Sequence, residues 1–372
     1  MSRQGSDGLQ MAGIALVALA VGGGIWLVAI DDAPEPELGR TEIVTHPGSA
    51  GGGGAASGGT ESPSTAASAP TRAGWIPPEA REVRRRNELP ATTRADSPCV
   101  EVANPIEMAK SVAILGEREL RAATALSDAD EARIGDRLER SASGAAPFAG
   151  KWDRADDVAR YGGYLTKVVQ LLAKQSKRTG LRHRIHVVHD DTFNAAAMPG
   201  GVLFAHTGIF TGKDALQTEA ELAAVLGHEL AHVELRHPVA AFQYAKILLG
   251  DSADDAAVLV KMLSMPIASE YEFEADRRGI EIAARSQYAP DAARDVWLRM
   301  ANGANGGRPA GGLLGGVLGG LEAVLATHPP PGTRCARANA FAATWRSDTT
   351  FDVFYVGTTN LAERLTGPER PH

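Results

Sequence analysis

The sequence predicts a mainly helical α+β domain carried behind one transmembrane helix and a flexible linker. Three observations lead there. From about Cys99 onward, stretches with apolar residues at helical spacing outnumber the short runs that read as strands. Ahead of them lies a tract rich in Gly, Ser, Ala and Pro. At the start stands Met11 to Ile30, an apolar run without a charged residue.

Residues 1–10 form a short polar tail. Residues 11–30 match the hydrocarbon thickness of a bilayer and predict an uncleaved anchor. Ala18-Leu19-Ala20 imitates a signal cleavage site, but apolar sequence continues well past it. Arg3 precedes the run, whereas Asp31, Asp32, Glu35 and Glu37 follow it, which leaves the body of the protein on the outer side of the membrane. Residues 31–95, including GSAGGGGAASGG, cannot bury enough apolar surface to order themselves and read as a tether. Arg81, Arg84, Arg85 and Arg86 read as its solvated end.

Residues 96–372 form the folded domain. Ser111 to Ala125 and Ala129 to Leu138 have helical texture. Val158 to Leu172 repeats Tyr161, Tyr164, Leu165, Val168, Val169 and Leu172 along one helical face. Arg184 to Val188 alternates as a strand, Asn194 to Gly201 is turn chemistry, and Val202 to Phe210 is a second strand. A helix follows, with Thr218 and Glu221 as a capping box and Leu222, Val225, Leu226, Leu230 and Val233 as its apolar stripe. Pro266 to Ser286 and Asp291 to Met300 predict further helices, and 302–320 is a glycine-rich loop of the kind that forms lids. A helix through Trp345 and a strand from Phe351 to Val356 close the domain.

The 372 residues carry a net charge of −7, and no basic face gives a footprint for nucleic acid. The two cysteines, Cys99 and Cys335, sit in no CxxC, so a thiolate zinc site is not expected. In an oxidising compartment they could bridge; two separate free thiols are an equal alternative.

The chemistry concentrates in HELAHVELRH. His228 and His232 are four apart on a helix, so both imidazoles can reach one cation, and Glu229 beside them can take a proton from water. A third ligand must come from elsewhere. In the pattern HExxHxxGxxH it would be a histidine at position 238, but Leu235 and Pro238 occupy the diagnostic positions. His237 would lie about 140° around a continuous helix from His232 and reads as a helix C-terminal residue favoured by the dipole. A carboxylate is left. Among Glu270, Glu272, Glu274 and Asp276, the pair Glu272 and Asp276 is one helical turn apart, so Glu272 could ligate while Asp276 accepts a hydrogen bond from a ligand histidine.

These motifs, with NAAAMPGGVLFAHTG before them and SEYEFEADRRG and THPPPGTR after them, resemble metallopeptidase family 48. That family of zincins includes the CAAX prenyl endopeptidase, HtpX and periplasmic quality-control peptidases. The resemblance implies a zincin-like fold with a small antiparallel sheet and one Zn2+ per chain, held by His228, His232 and Glu272. It further implies Glu229 as catalytic base, Asp276 behind the ligands, and His328 and Arg334 near the oxyanion, with His328 alternatively capping the zinc. Val202, Leu203, Phe204, Ala205 and His206 would be the sheet edge that receives an extended substrate. The expected protein is an anchored endopeptidase on the periplasmic side of a bacterial inner membrane, cleaving envelope proteins. The rival is a latent or non-proteolytic zinc-containing assembly factor.

Overall fold

The computed structural model describes residues 15–21, 24–30, 82–91, 99, 126–250, 252–264, 269–305, 329–358 and 361. His328, the helix expected over Ser111 to Ala125, the tether up to residue 81 and most of the glycine-rich loop lie outside them. The chain divides into two units, Met1–Ala67 and Ser68–His372.

In the first unit, β1 (Ala15–Val21) and β2 (Gly24–Ile30) pair antiparallel, with Val21 opposite Gly24 and Ala15 opposite Ile30. The expected transmembrane helix is therefore not found. Among the described residues no helix is long and apolar enough to cross a membrane. The local chemistry accounts for the difference. Gly22, Gly23 and Gly24 interrupt the run, and Val17, Val21, Ile25, Val28 and Ile30 are β-branched, which favours strands over helix.

The second unit is mainly helical. Its helices are α1 (Asp128–Ala142), α2 (Gly163–Ala173), α3 (Glu219–Glu234), α4 (His237–Leu249), α5 (Asp255–Ser264), α6 (Ser269–Arg285), α7 (Ala292–Asn305) and α8 (Pro331–Thr344). Its strands are β3 (Val83–Arg85), β4 (Arg184–Val188), β5 (Ala195–Met198), β6 (Val202–His206) and β7 (Val353–Tyr355). β3 pairs antiparallel with β7, and Leu89 just after β3 is buried. The folded unit thus begins before the boundary expected at residue 96, because β7 and the carbonyl-binding Arg346 hold this segment in place.

The other sheet is mixed, not antiparallel: β6 lies in the middle, parallel to β4 and antiparallel to β5. The strand Val202–His206 therefore has partners on both sides and is not the substrate-receiving edge. It also ends earlier than expected, since Gly208–Thr211 turns into a short helix. The outer side of β4 is bridged at Val188 by Trp152. No strand among the described residues pairs with the outer side of β5, which packs over α3.

Leu165 and Leu172 of α2, Leu203 of β6, Leu222, Leu226 and Leu230 of α3 and Ile282 of α6 share one core with Tyr288 and Phe354. α3 is buried nearly throughout and starts as its cap predicts, with the Thr218 side chain accepting from the Glu221 N–H. Cys99 and Cys335 are disulfide-bonded, with Cα atoms 5.0 Å apart, and fasten α8 to the chain between β3 and α1.

α3 and α6 meet backbone to backbone. A Cβ on Gly279 would lie 2.6 Å from the His228 nitrogen, and one on Gly227 would lie 2.8 Å from the Gly279 carbonyl oxygen. Glycine inside a helix ordinarily costs about 1 kcal/mol relative to alanine, so this pair is favoured only by the close approach it permits. Gly279→Ala is expected to destabilise the domain by about 1–3 kcal/mol, the range for overpacking, as read by denaturant unfolding; unchanged stability would refute the close approach.

Candidate metal centre

The crossing sets His228 and His232, on α3, against Glu272, one and a half to two turns before Gly279 on α6. The His228 Nε2 and His232 Nε2 atoms are 2.9 Å apart. Glu272 Oε2 is 3.5 Å from the first, and Oε1 is 3.4 Å from the second. One donor atom from each residue lies within 4.8 Å of the others, and all three side chains are buried. Tetrahedral ligation at 2.0–2.1 Å places donors about 3.3 Å apart, so this set fits a small divalent ion with little adjustment.

Asp276, one turn beyond Glu272, accepts from His228 Nδ1 at 3.0 Å, as its spacing predicts. That contact leaves the His228 Nε2 lone pair for a metal. Arg334 reaches in from α8. Its Nε and one terminal nitrogen donate to the two Asp276 oxygens at 2.8 and 2.6 Å, and its other terminal nitrogen is 3.2 Å from Glu272 Oε2. Its guanidinium also lies 3.5 Å from the centroid of the Trp297 ring, a cation–π contact. Trp297 carries no sequence signal for this role, because a lone tryptophan on an amphipathic helix reads as core.

The electrostatics follow from burial. Glu229 is buried beside the ligands, and loss of solvation, reinforced by Glu272, pushes its carboxyl up to about 8 against the pull of His228. Burial and Arg334 oppose charge on His228, yet hydrogen bonds to Asp276 and Glu272 carry it up to about 9. Burial and the neighbouring His228 push His232 down to about 3. Asp276 stays below the usual carboxylate range; burial opposes this, and Arg334 and His228 outweigh it.

His237 departs from its sequence reading. α3 stops at Glu234, Arg236 takes a left-handed conformation (φ 63°), and His237 opens α4 instead of ending α3. The turn folds His237 back, so its Nδ1 lies 2.8 Å from His232 Nδ1. Pro238 was the available signal: a proline breaks a continuing helix and suits the first turn of a new one.

A helix-borne His-Glu-x-x-His completed by a carboxylate from a second helix defines the zincin class of metallopeptidase site. Residues 160–342 match the sequence model of Peptidase family M48, and through this segment the chain belongs to that family. The mitochondrial metalloendopeptidase OMA1 of Schizosaccharomyces pombe is 30% identical over 177 residues, 45% of this chain and 48% of that protein. The beta-barrel assembly-enhancing protease of Escherichia coli is 26% identical over 252 residues, 62% of this chain and 47% of that protein. The metalloprotease YcaL of Escherichia coli is 28% identical over 151 residues, covering 40% and 54% respectively. The chain thus spans about half the length of these relatives.

His206, expected on the substrate strand, is instead bound to Thr192, with its Nδ1 2.8 Å from the hydroxyl oxygen. Burial, only partly offset by Asp190, pushes this imidazole down from 6.5 to about 4. A neutral form favoured by folding contributes in full above pH 6.5, and that contribution is lost as pH falls toward 4. Wild type is expected to lose on the order of 3 kcal/mol across this window. Unfolding measured against pH should show a shallower acid slope in His206→Gln; an identical slope would contradict the assignment.

Proposed function

We propose that this chain is a zinc-dependent endopeptidase. The observation that carries the reading is the convergence of His228, His232 and Glu272 on one buried point, with Glu229 beside them. His228, His232 and Glu272 would hold a zinc ion, which would supply Lewis acidity beside Glu229.

The chain's own residues do the rest. Glu229, buried directly after His228 in the chain, would accept the proton of the attacking water and return it to the leaving amine. Asp276 fixes the His228 ring, and Arg334 holds Asp276 and Glu272 in place. Because the Arg334 nitrogens are committed to these two carboxylates, a positioning role is favoured over donation to the oxyanion. His328, the remaining oxyanion or capping candidate, stays in the proposal on its motif alone. An extended peptide would add to the outer side of β5, Ala195–Met198, which is supported by its position at the sheet edge over α3.

The disulfide favours an oxidising compartment such as the bacterial periplasm. The charge-free run Met11 to Ile30 favours contact with a lipid bilayer, on its hydropathy alone. The substrates would then be envelope proteins, in keeping with the name of the beta-barrel assembly-enhancing relative. The second reading, a latent assembly factor, rests on His328 as a cap.

Glu229→Gln is expected to bind zinc like wild type and to lose at least about 100-fold in hydrolysis of an unfolded protein substrate. Retained hydrolysis would remove Glu229 as the base. Chelation should abolish activity and added zinc restore it, whereas activity indifferent to chelator would remove the metal.

A further inference from the structure

His237 stands outside the candidate donor set, yet it is buried and its ring faces His232. We infer that His237 is a positioning residue that accepts the Nδ1 proton of His232 and so fixes that ligand's tautomer and ring orientation. The inference rests on the metal-centre reading above and adds a second support to it.

A histidine ligates with a deprotonated nitrogen, and its other ring nitrogen then carries the proton. His228 and His232 both offer Nε2 toward Glu272, so each must carry its proton on Nδ1. For His228 the acceptor is Asp276, at 3.0 Å. For His232 the atom opposite Nδ1 is Nδ1 of His237, at 2.8 Å. That nitrogen can accept only if His237 is neutral and protonated on Nε2. Nε2 faces Glu274, whose Oε2 is 3.6 Å away, which sets a carboxylate on the side where that proton would sit.

The ring is also held in place. Tyr271, next to the ligand Glu272 on α6, stacks on His237 with centroids 4.4 Å apart and planes 19° from parallel. The two ligand histidines are thereby oriented in different ways. His228 has a charged acceptor braced by Arg334, and His232 has a neutral one supplied by the reversal of the chain at Arg236.

The test compares zinc affinity of the full chain, by competition with a chromophoric chelator, in wild type, His237→Phe and His237→Asn. Phenylalanine keeps a ring against Tyr271 but offers no acceptor, whereas asparagine restores an acceptor near the Nδ1 position. Phenylalanine is expected to weaken zinc binding about 10–100-fold, with asparagine recovering most of the loss. Equal affinity in wild type and His237→Phe would overturn the inference, and so would equal weakening in both variants, which marks a packing role. Imidazole 15N shifts of zinc-loaded wild type need no variant. They should report the proton on Nε2 of His237, and a proton on its Nδ1 would overturn the assignment even if neither variant folds. A wild-type chain that takes up no zinc would instead overturn the metal-centre reading, and this inference with it.

Discussion

The crossing of α3 and α6 at Gly227 and Gly279 is the constraint on which the site depends. Helices ordinarily pack with axes 8–10 Å apart, and here the backbones of α3 and α6 touch directly beside the donor residues. The absence of a Cβ at both positions permits that approach. His228 follows Gly227 directly, so the contact and the first donor are one feature of the chain. Glu272 lies about two turns before Gly279 on α6, and its carboxylate oxygens lie 3.5 and 3.4 Å from Nε2 of His228 and His232. A Cβ at either glycine would meet the backbone of the other helix, so alanine there requires the two helices to shift beside the donor residues.

Burial then sets the electrostatics. Glu229, Glu272 and Asp276 are three carboxyls removed from water, and Arg334 is the fixed cation among them. Buried carboxylates require partners, and here the protein divides them. Asp276 and Glu272 are met by Arg334 and the imidazoles, while Glu229 bears the desolvation and rises toward neutrality. A dication in place of the His228 proton would add positive charge and favour ionised Glu229, the form that takes a proton from water. Arg334 sits on α8, which is fastened by the disulfide at the adjacent Cys335 and stacked on Trp297 of α7. A residue distant in sequence thus bears on the ligand set through packing and charge.

The cluster of donor residues was legible because it uses one rule, the helical repeat. His228, His232, Glu272 and Asp276 each lie one turn from a partner on the same helix, so their juxtaposition needed only two helices to meet. His237 was misread because that rule was carried too far: the left-handed Arg236 ends the helix, and no periodicity extends across such a turn. Ala195–Met198 was read as turn because three alanines have little preference for strand; pairing with β6 overrides it. The same pairing places β6 in the middle of the sheet, a consequence of strand order that local pattern does not encode. Met11 to Ile30 was read by hydropathy, which gives the apolar character of the run but not its backbone. Residues 83–89 were assigned to the tether on composition, and their partner β7 lies at the far end of the domain.

The central claim is that one metal ion sits between α3 and α6. Zinc-edge anomalous diffraction from crystals of the zinc-loaded chain tests it most directly. A single peak at about 2.0–2.2 Å from Nε2 of His228, Nε2 of His232 and a Glu272 oxygen is the expected result. A peak elsewhere, or none at these three residues in zinc-loaded crystals, would contradict the account.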